Sequence, residues 1–127
     1  MGELKDSGQR ETGPTGMVRE PINGSGRYDL ISPIALKLLA IHYENGAKKY
    51  SPRNWEKGGK LSEWWNHAEI HMQSYLSGDR EEDHLSAVVW NLFCIQHGLE
   101  MIRQGQWPED LNDLPNLEVK PCLKKTI

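Results

Sequence analysis

Apolar residues fall at helical spacing in three stretches of the chain and nowhere alternate as a β-strand would. The first stretch follows Ser32-Pro33, a capping residue and a proline suited to the first helical position. It carries Ile34, Leu38 and Ile41 and runs to about Gly46 or slightly beyond. The second is expected to take Ser62 as N-cap and Glu63 in its first turn, with Leu61, Trp65, Ala68, Met72 and Leu76 as its apolar stripe. Gly78-Asp79 ends it, and the third helix starts within the acidic run 79–83. On this last helix Leu85, Val88, Leu92, Ile95, Leu99 and Ile102 form a main stripe, and Ala87, Trp90, Cys94 and Met101 form a second. A helix apolar on two sides is either central or part of a subunit interface. The pattern predicts an all-α fold, a small helical bundle with an antiparallel helical hairpin of about 61–78 and 81–104.

The flanks read differently. Residues 1–26 are rich in glycine and poor in large apolar side chains, so burial cannot offset their ordering entropy and a flexible arm is expected. Within that arm, Gly24 to Gly26, flanked by Arg19 and Arg27, is either a loop that lets backbone N–H groups approach an anion or an ordinary surface loop. Residues 105–127, with three prolines and scattered leucines, suit an irregular tail that wraps, which leaves 27–104 as one helical domain. The 15 basic and 18 acidic residues give a net charge of −3, which argues against a protein that coats nucleic acid. Positive charge is local: residues 45–60 hold Lys48, Lys49, Arg53, Lys57 and Lys60 against Glu56 alone. Cys94 and Cys122 do not suggest a disulfide framework and suit a reducing cytoplasm. The start of the chain has no signal-like apolar core, and no apolar run approaches the roughly 20 residues that span a bilayer, so no membrane partner is expected.

Candidate chemistry gathers on the hairpin. At about 100° per residue His67 and His71 share one flank of the second helix with Glu63 a turn earlier, while His84 and Asn91 share a flank of the third. A short turn between antiparallel helices turns these flanks toward one cleft. The histidine pair is either a metal-ligating pair or a set of hydrogen-bonded boundary residues, since it lacks the glutamate and downstream ligand of a zinc protease. No serine sits in a nucleophile elbow and neither cysteine has an electropositive setting. Lys48, Lys49 and Arg53 suit phosphate, with Tyr50 or Trp55 available for base stacking; otherwise this segment is a solvated basic loop.

The stretches GRYDLISPIAL, YENGAKKY, RNWEKG, HAEIHM and GDREEDHLSAVVWN, in this order over about residues 17–103, resemble the phage-encoded dATP/dGTP diphosphohydrolase family of N-terminal type. That family is related to the MazG-like all-α nucleotide pyrophosphohydrolases. The resemblance implies a helical homo-oligomer in which Mg²⁺, with Mn²⁺ or another divalent ion as substitute, helps water split a purine deoxynucleoside triphosphate into monophosphate and pyrophosphate. It implies ligand-side roles for Arg27, Asp29, Lys48, Lys49, Tyr50, Asn54 and Trp55, to which the residue chemistry adds Arg53 and His67, and it makes Asn91 a motif position. It makes His71, Asp83 and His84 motif positions as well, and these three are the candidate catalytic group. MazG-like enzymes hold Mg²⁺ with Glu-x-x-Glu and Glu-x-x-Asp, and this chain has neither at the expected places. Metal binding would then fall to Glu44, Glu63 and Asp83, with Glu82 as a further carboxylate. The alternative is a non-catalytic phage protein that sequesters a nucleotide or nucleotide-derived signal; a third reading is a helical module that contacts a partner protein.

Overall fold

The computed structural model describes residues 3–115. The chain divides into two units, Met1–Ser32 and a second that begins at Pro33. In the first unit the sequence pattern gave no strand, yet β1 (Glu11–Thr12) and β2 (Val18–Arg19) pair antiparallel, Glu11 opposite Arg19 and Thr12 opposite Val18. The pairing is possible in so polar a segment because the turn supplies its own bonds: Gly13 N–H donates to Met17 O and Gly16 N–H, at φ 87°, to Gly13 O.

The second unit is helical, as the periodicity requires: α1 (Pro33–Lys49), α2 (Leu61–Leu76) and α3 (His84–Arg103), with α3 packed along α2 and also against α1. α3 is thus central. Both hairpin helices stop by the same device. Gly78 takes φ 97° while its N–H reaches Tyr75 O and that of Asp79 reaches Ser74 O; Gly105 takes φ 76° while its N–H reaches Ile102 O and that of Gln106 reaches Met101 O. This is the glycine-terminated Schellman arrangement, and it aims the residue after each glycine back across the helix end.

Three expectations need correction. Ser62 is not the N-cap of α2; Lys60 occupies that place without a side-chain bond. The orphan N–H of Ser62 is instead met from far along the chain by Asp113, whose carboxylate accepts from Ser62 N (2.9 Å) and from its hydroxyl (2.6 Å). Asp113→Ala is therefore expected to speed amide exchange at Ser62 several-fold and to lower the urea midpoint, whereas Asp113→Asn keeps part of the cap.

The buried stripes are also displaced from those the periodicity selected. On α2, Leu61 and Ala68 are buried and Trp64, His71 and Tyr75 half-buried, while Trp65, Met72 and Leu76 face out. On α1 the inward side is Leu39, His42, Tyr43, Gly46 and Ala47, with Ile34, Leu38 and Ile41 exposed. On α3, Val88 and Ile95 are buried with Ala87, Cys94 and Gly98, but Leu85, Val89, Leu92, Phe93 and Leu99 are exposed.

One segment does reach membrane length, contrary to expectation. α3 is long and apolar enough to cross a membrane by length and composition, with a mean hydropathy of 1.2 over its best window. Its place between α1 and α2 accounts for the buried Ala87, Val88, Cys94 and Ile95, but only 39% of that window is buried and Leu85, Val89, Leu92, Phe93 and Leu99 lie exposed. Cys94 lies within this core, and burial pushes its thiol up to about 12, which makes it inert. Cys122 lies outside the described residues.

Candidate functional site

The end of α2 and the start of α3 bring titratable groups together because the Gly78 turn returns the chain at once. Asp83 is the N-cap of α3, its carboxylate accepting from Ser86 N–H (3.0 Å) and Ser86 Oγ–H (2.5 Å). Partial burial pushes the Asp83 carboxyl up, but those two bonds, with His42 and His84 nearby, outweigh it and hold it below its ordinary value. The cap fixes the first residue of α3, His84, which is buried. His84 Nδ1 lies 2.9 Å from Nδ1 of His71 on α2, and His84 Nε2 lies 3.0 Å from Asp79 Oδ2. Glu82 Oε1 stands 3.4 Å from His71 Nδ1 and 3.5 Å from His84 Nδ1.

Asp79 is itself held, its Oδ1 accepting from Glu81 N–H (2.9 Å), and that bond together with His84 keeps its carboxyl below the ordinary value. Arg80 anchors the turn to α2, its guanidinium 3.8 Å over the Tyr75 ring and donating to Tyr75 O. Burial lowers the pKa of His71, only partly opposed by Glu82, so its imidazole is neutral at pH 7.

His42 joins this region from α1, its ring 5.7 Å from Trp90. Burial lowers its pKa, with Asp83 and Glu82 pulling the other way. Below an ordinary value of 6.5 the unfolded chain takes up a proton that folded His42 resists, so stability rises with pH across that window. The melting temperature is expected to fall as pH drops from 7.5 toward 5.5, and His42→Gln to flatten that limb.

The basic segment lies elsewhere. Trp55 is packed between Tyr43 (6.2 Å) and His97 (4.9 Å), and Trp107 continues the chain of rings from His97 (5.7 Å) to Trp64 (6.0 Å). His97 is thirteen residues beyond His84, about 20 Å along the helix. Trp55 thus packs on α3 well along the helix from the histidine pair. Lys48 is paired with Glu44 (3.1 Å) and Arg53, in the left-handed region at φ 61°, with Glu56. Lys49 lies over the exposed Tyr50 ring at 5.3 Å. Arg27 belongs to the first unit, where both of its forked N–H groups meet Asp29 (2.8 and 2.7 Å).

The family model for dATP/dGTP diphosphohydrolase, N-terminal, matches residues 17–110, well over half of the 127. The chain belongs to this family. Comparison with curated proteins and with solved structures gives no match. The matched span of the diphosphohydrolase family takes in all three helices, the basic segment and the histidine pair.

Mg²⁺, the ion the resemblance implies, asks for an octahedral set of oxygens. Glu44 is occupied by Lys48, Glu63 is exposed in the first turn of α2 and Asp83 is used by Ser86, and these three do not converge. The set that does converge among the described residues is His71, Glu82 and His84, whose donor atoms lie within 4.8 Å of one another. Two imidazole nitrogens and one oxygen do not fit Mg²⁺. His67, expected beside His71, is exposed, because the edge of the buried face passes between them. Asn91 is buried; its Nδ2 donates to Ala87 O while Oδ1 has no hydrogen-bond partner. Sequence reasoning missed Asp79 and His42. The signal for Asp79 was present, since a Schellman glycine places the next residue over the helix end.

Proposed function

We propose that this protein binds a purine deoxynucleoside triphosphate and cleaves it to monophosphate and pyrophosphate, in phage nucleotide metabolism and in the cytoplasm. The observation that carries the reading is membership of the dATP/dGTP diphosphohydrolase family across the helical unit. In this reading water attacks the α-phosphorus, the bond to the bridging oxygen breaks, pyrophosphate leaves, and the water proton passes to an imidazole. When no ion occupies the histidine pair, neutral His71, its Nδ1–H donated to His84, offers Nε2 as that base. Lys48, Lys49 and Arg53 supply the charge to hold phosphates, and Tyr50 a face for the base.

The site is proposed to be completed by a second copy. Leu85, Val89, Leu92 and Leu99 lie exposed on α3 with Gln96 among them, at the alternating four- and three-residue spacing of a helix seam. The distance between Trp55 and the histidines within one chain favours the same conclusion. Light scattering is expected to give a dimer or larger; a monomer at all concentrations overturns this part.

The hydrolytic reading is tested by incubating the protein with each ribo- and deoxynucleoside triphosphate in the presence of Mg²⁺, Mn²⁺ or Zn²⁺ and resolving the products. Monophosphate and pyrophosphate in equal amounts are expected, with His71→Ala lowering the rate about 10²–10⁴-fold. The lack of a Mg²⁺-type carboxylate set favours a second reading, nucleotide sequestration. Intact nucleotide recovered from a tight complex would replace the first reading with the second.

A further inference from the structure

We propose that His71, Glu82 and His84 form a binding site for a divalent transition-metal ion, with Zn²⁺ the ion these donors suit best. Edges of 2.9, 3.4 and 3.5 Å join the three donor atoms. A triangle of those sides has its corners about 1.9 Å from its centre, so an ion at a zinc–nitrogen distance of about 2.05 Å stands about 0.8 Å above the plane. In a regular zinc tetrahedron the corresponding height is about 0.7 Å and the edges about 3.3 Å. The three donors therefore already have the dimensions of one tetrahedral face, and the short imidazole–imidazole edge needs to open by only about 0.4 Å. A fourth place is left to water or a ligand oxygen.

The surroundings are those a ligating histidine requires. His84 Nε2–H donates to Asp79 Oδ2, which leaves Nδ1 with its lone pair toward the triangle and fixes the plane of the ring. Asp79 cannot swing away, because Glu81 N–H holds its other oxygen and its own N–H is bonded to Ser74 O in the α2 terminus. Without metal, the same geometry is a hydrogen bond from His71 Nδ1–H to His84 Nδ1; an ion displaces that proton and joins α2 to α3. Two imidazoles and a carboxylate are borderline donors of the kind that hold zinc and its neighbours, while hard Mg²⁺ keeps to oxygen. The site does not rest on the hydrolase reading, since it would join the helices with or without nucleotide chemistry.

Full-length protein free of any histidine tag, stripped with EDTA and titrated with Zn²⁺, Co²⁺ or Mg²⁺, provides the test. One Zn²⁺ per chain is expected, with a rise in melting temperature of about 5–10 °C at a hundredfold excess over Kd. Mg²⁺ is expected to give no shift, and Co²⁺ the visible bands of a four-coordinate site. His71→Ala, at a half-buried position, and Glu82→Gln, at an exposed one, are expected to abolish the shift; Asp79→Asn, a positioning change, to weaken binding about 10–100-fold; and Glu69→Gln to leave it intact. Absence of a stoichiometric Zn²⁺, or binding unchanged in His71→Ala and Glu82→Gln, overturns the proposal and leaves a hydrogen-bonded histidine pair. Zinc bound by a protein that hydrolyses no nucleotide overturns the hydrolase reading alone; Mg²⁺-supported hydrolysis without zinc binding does the reverse.

Discussion

Gly98→Ala is expected to destabilise the helical unit by about 1–2 kcal/mol, although alanine is the better helix former by close to 1 kcal/mol. A methyl group at Gly98 would lie 2.7 Å from Trp107 Cζ3 and 2.9 Å from Leu61 Cδ2. Neither neighbour can yield cheaply: Leu61 is wholly buried, and Trp107 is held between Trp64 and His97. Overpacking of this kind costs about 1–3 kcal/mol, and the two rigid contacts put this site at the upper end, so strain exceeds the gain in propensity. Gly46 is the control, a helical glycine with nothing within 4 Å of the added carbon. Gly46→Ala should stabilise by about 0.5–1 kcal/mol, so urea melts of the two variants at one protein concentration should move in opposite directions. Equal shifts of the same sign would mean that Trp107 does not rest on α3.

Trp107→Ala is expected to cost about 3–5 kcal/mol, a large part of the stability of a domain this size. Trp107 follows the turn at Gly105, whose bonds to Met101 and Ile102 direct the chain back over α3. Its ring then covers Gly98, stacks on Trp64 of α2 and meets His97 of α3 edge-on. Removing it opens a cavity at the point where α2, α3 and the segment after α3 meet. Urea unfolding followed by circular dichroism should show the loss. Trp107→Phe should recover a good part of it, and a double variant with Gly98→Ala should cost less than the sum, because the methyl group then has room. A loss below about 1 kcal/mol for Trp107→Ala would contradict the packing described.

The helices and the C-terminal ends of α2 and α3 could be read from the sequence because their causes are local: Gly78 and Gly105 end helices wherever they stand after a periodic run. The starts were less legible, since Lys60 rather than Ser62 precedes α2 and α3 begins only after Asp83. Which face is buried could not be read. Each of the three helices has more apolar positions than one buried face needs, so a stripe one position aside fits the periodicity equally well. That offset moved His71 inward, left His67 in solvent and exposed Leu85, Leu92 and Leu99. The rest depended on contacts between residues remote in sequence. Nothing near Ser62 shows that its N–H belongs to Asp113, and nothing in the polar, proline-containing tail marks Trp107 as core. Of the histidines, His67, paired with His71 by periodicity, is exposed, while His71 and His84 were both named from the sequence and the structure brings them together. The carboxylate that joins them is Glu82, ahead of Glu44, Glu63 and Asp83.

The reach from Asp113 to Ser62 also sets a timetable. The two residues are 51 positions apart. At about 5–20 residues per second, a ribosome that has finished the first turn of α2 needs roughly 3–10 s to make the carboxylate that caps it. During that interval α2 has an open first turn, and the buried side of Leu61 lacks the Trp107 segment that closes over Gly98 beside it. The start of α2 is therefore completed only by one of the later segments to be made, and the helix cannot reach its final stability before that segment folds back over it.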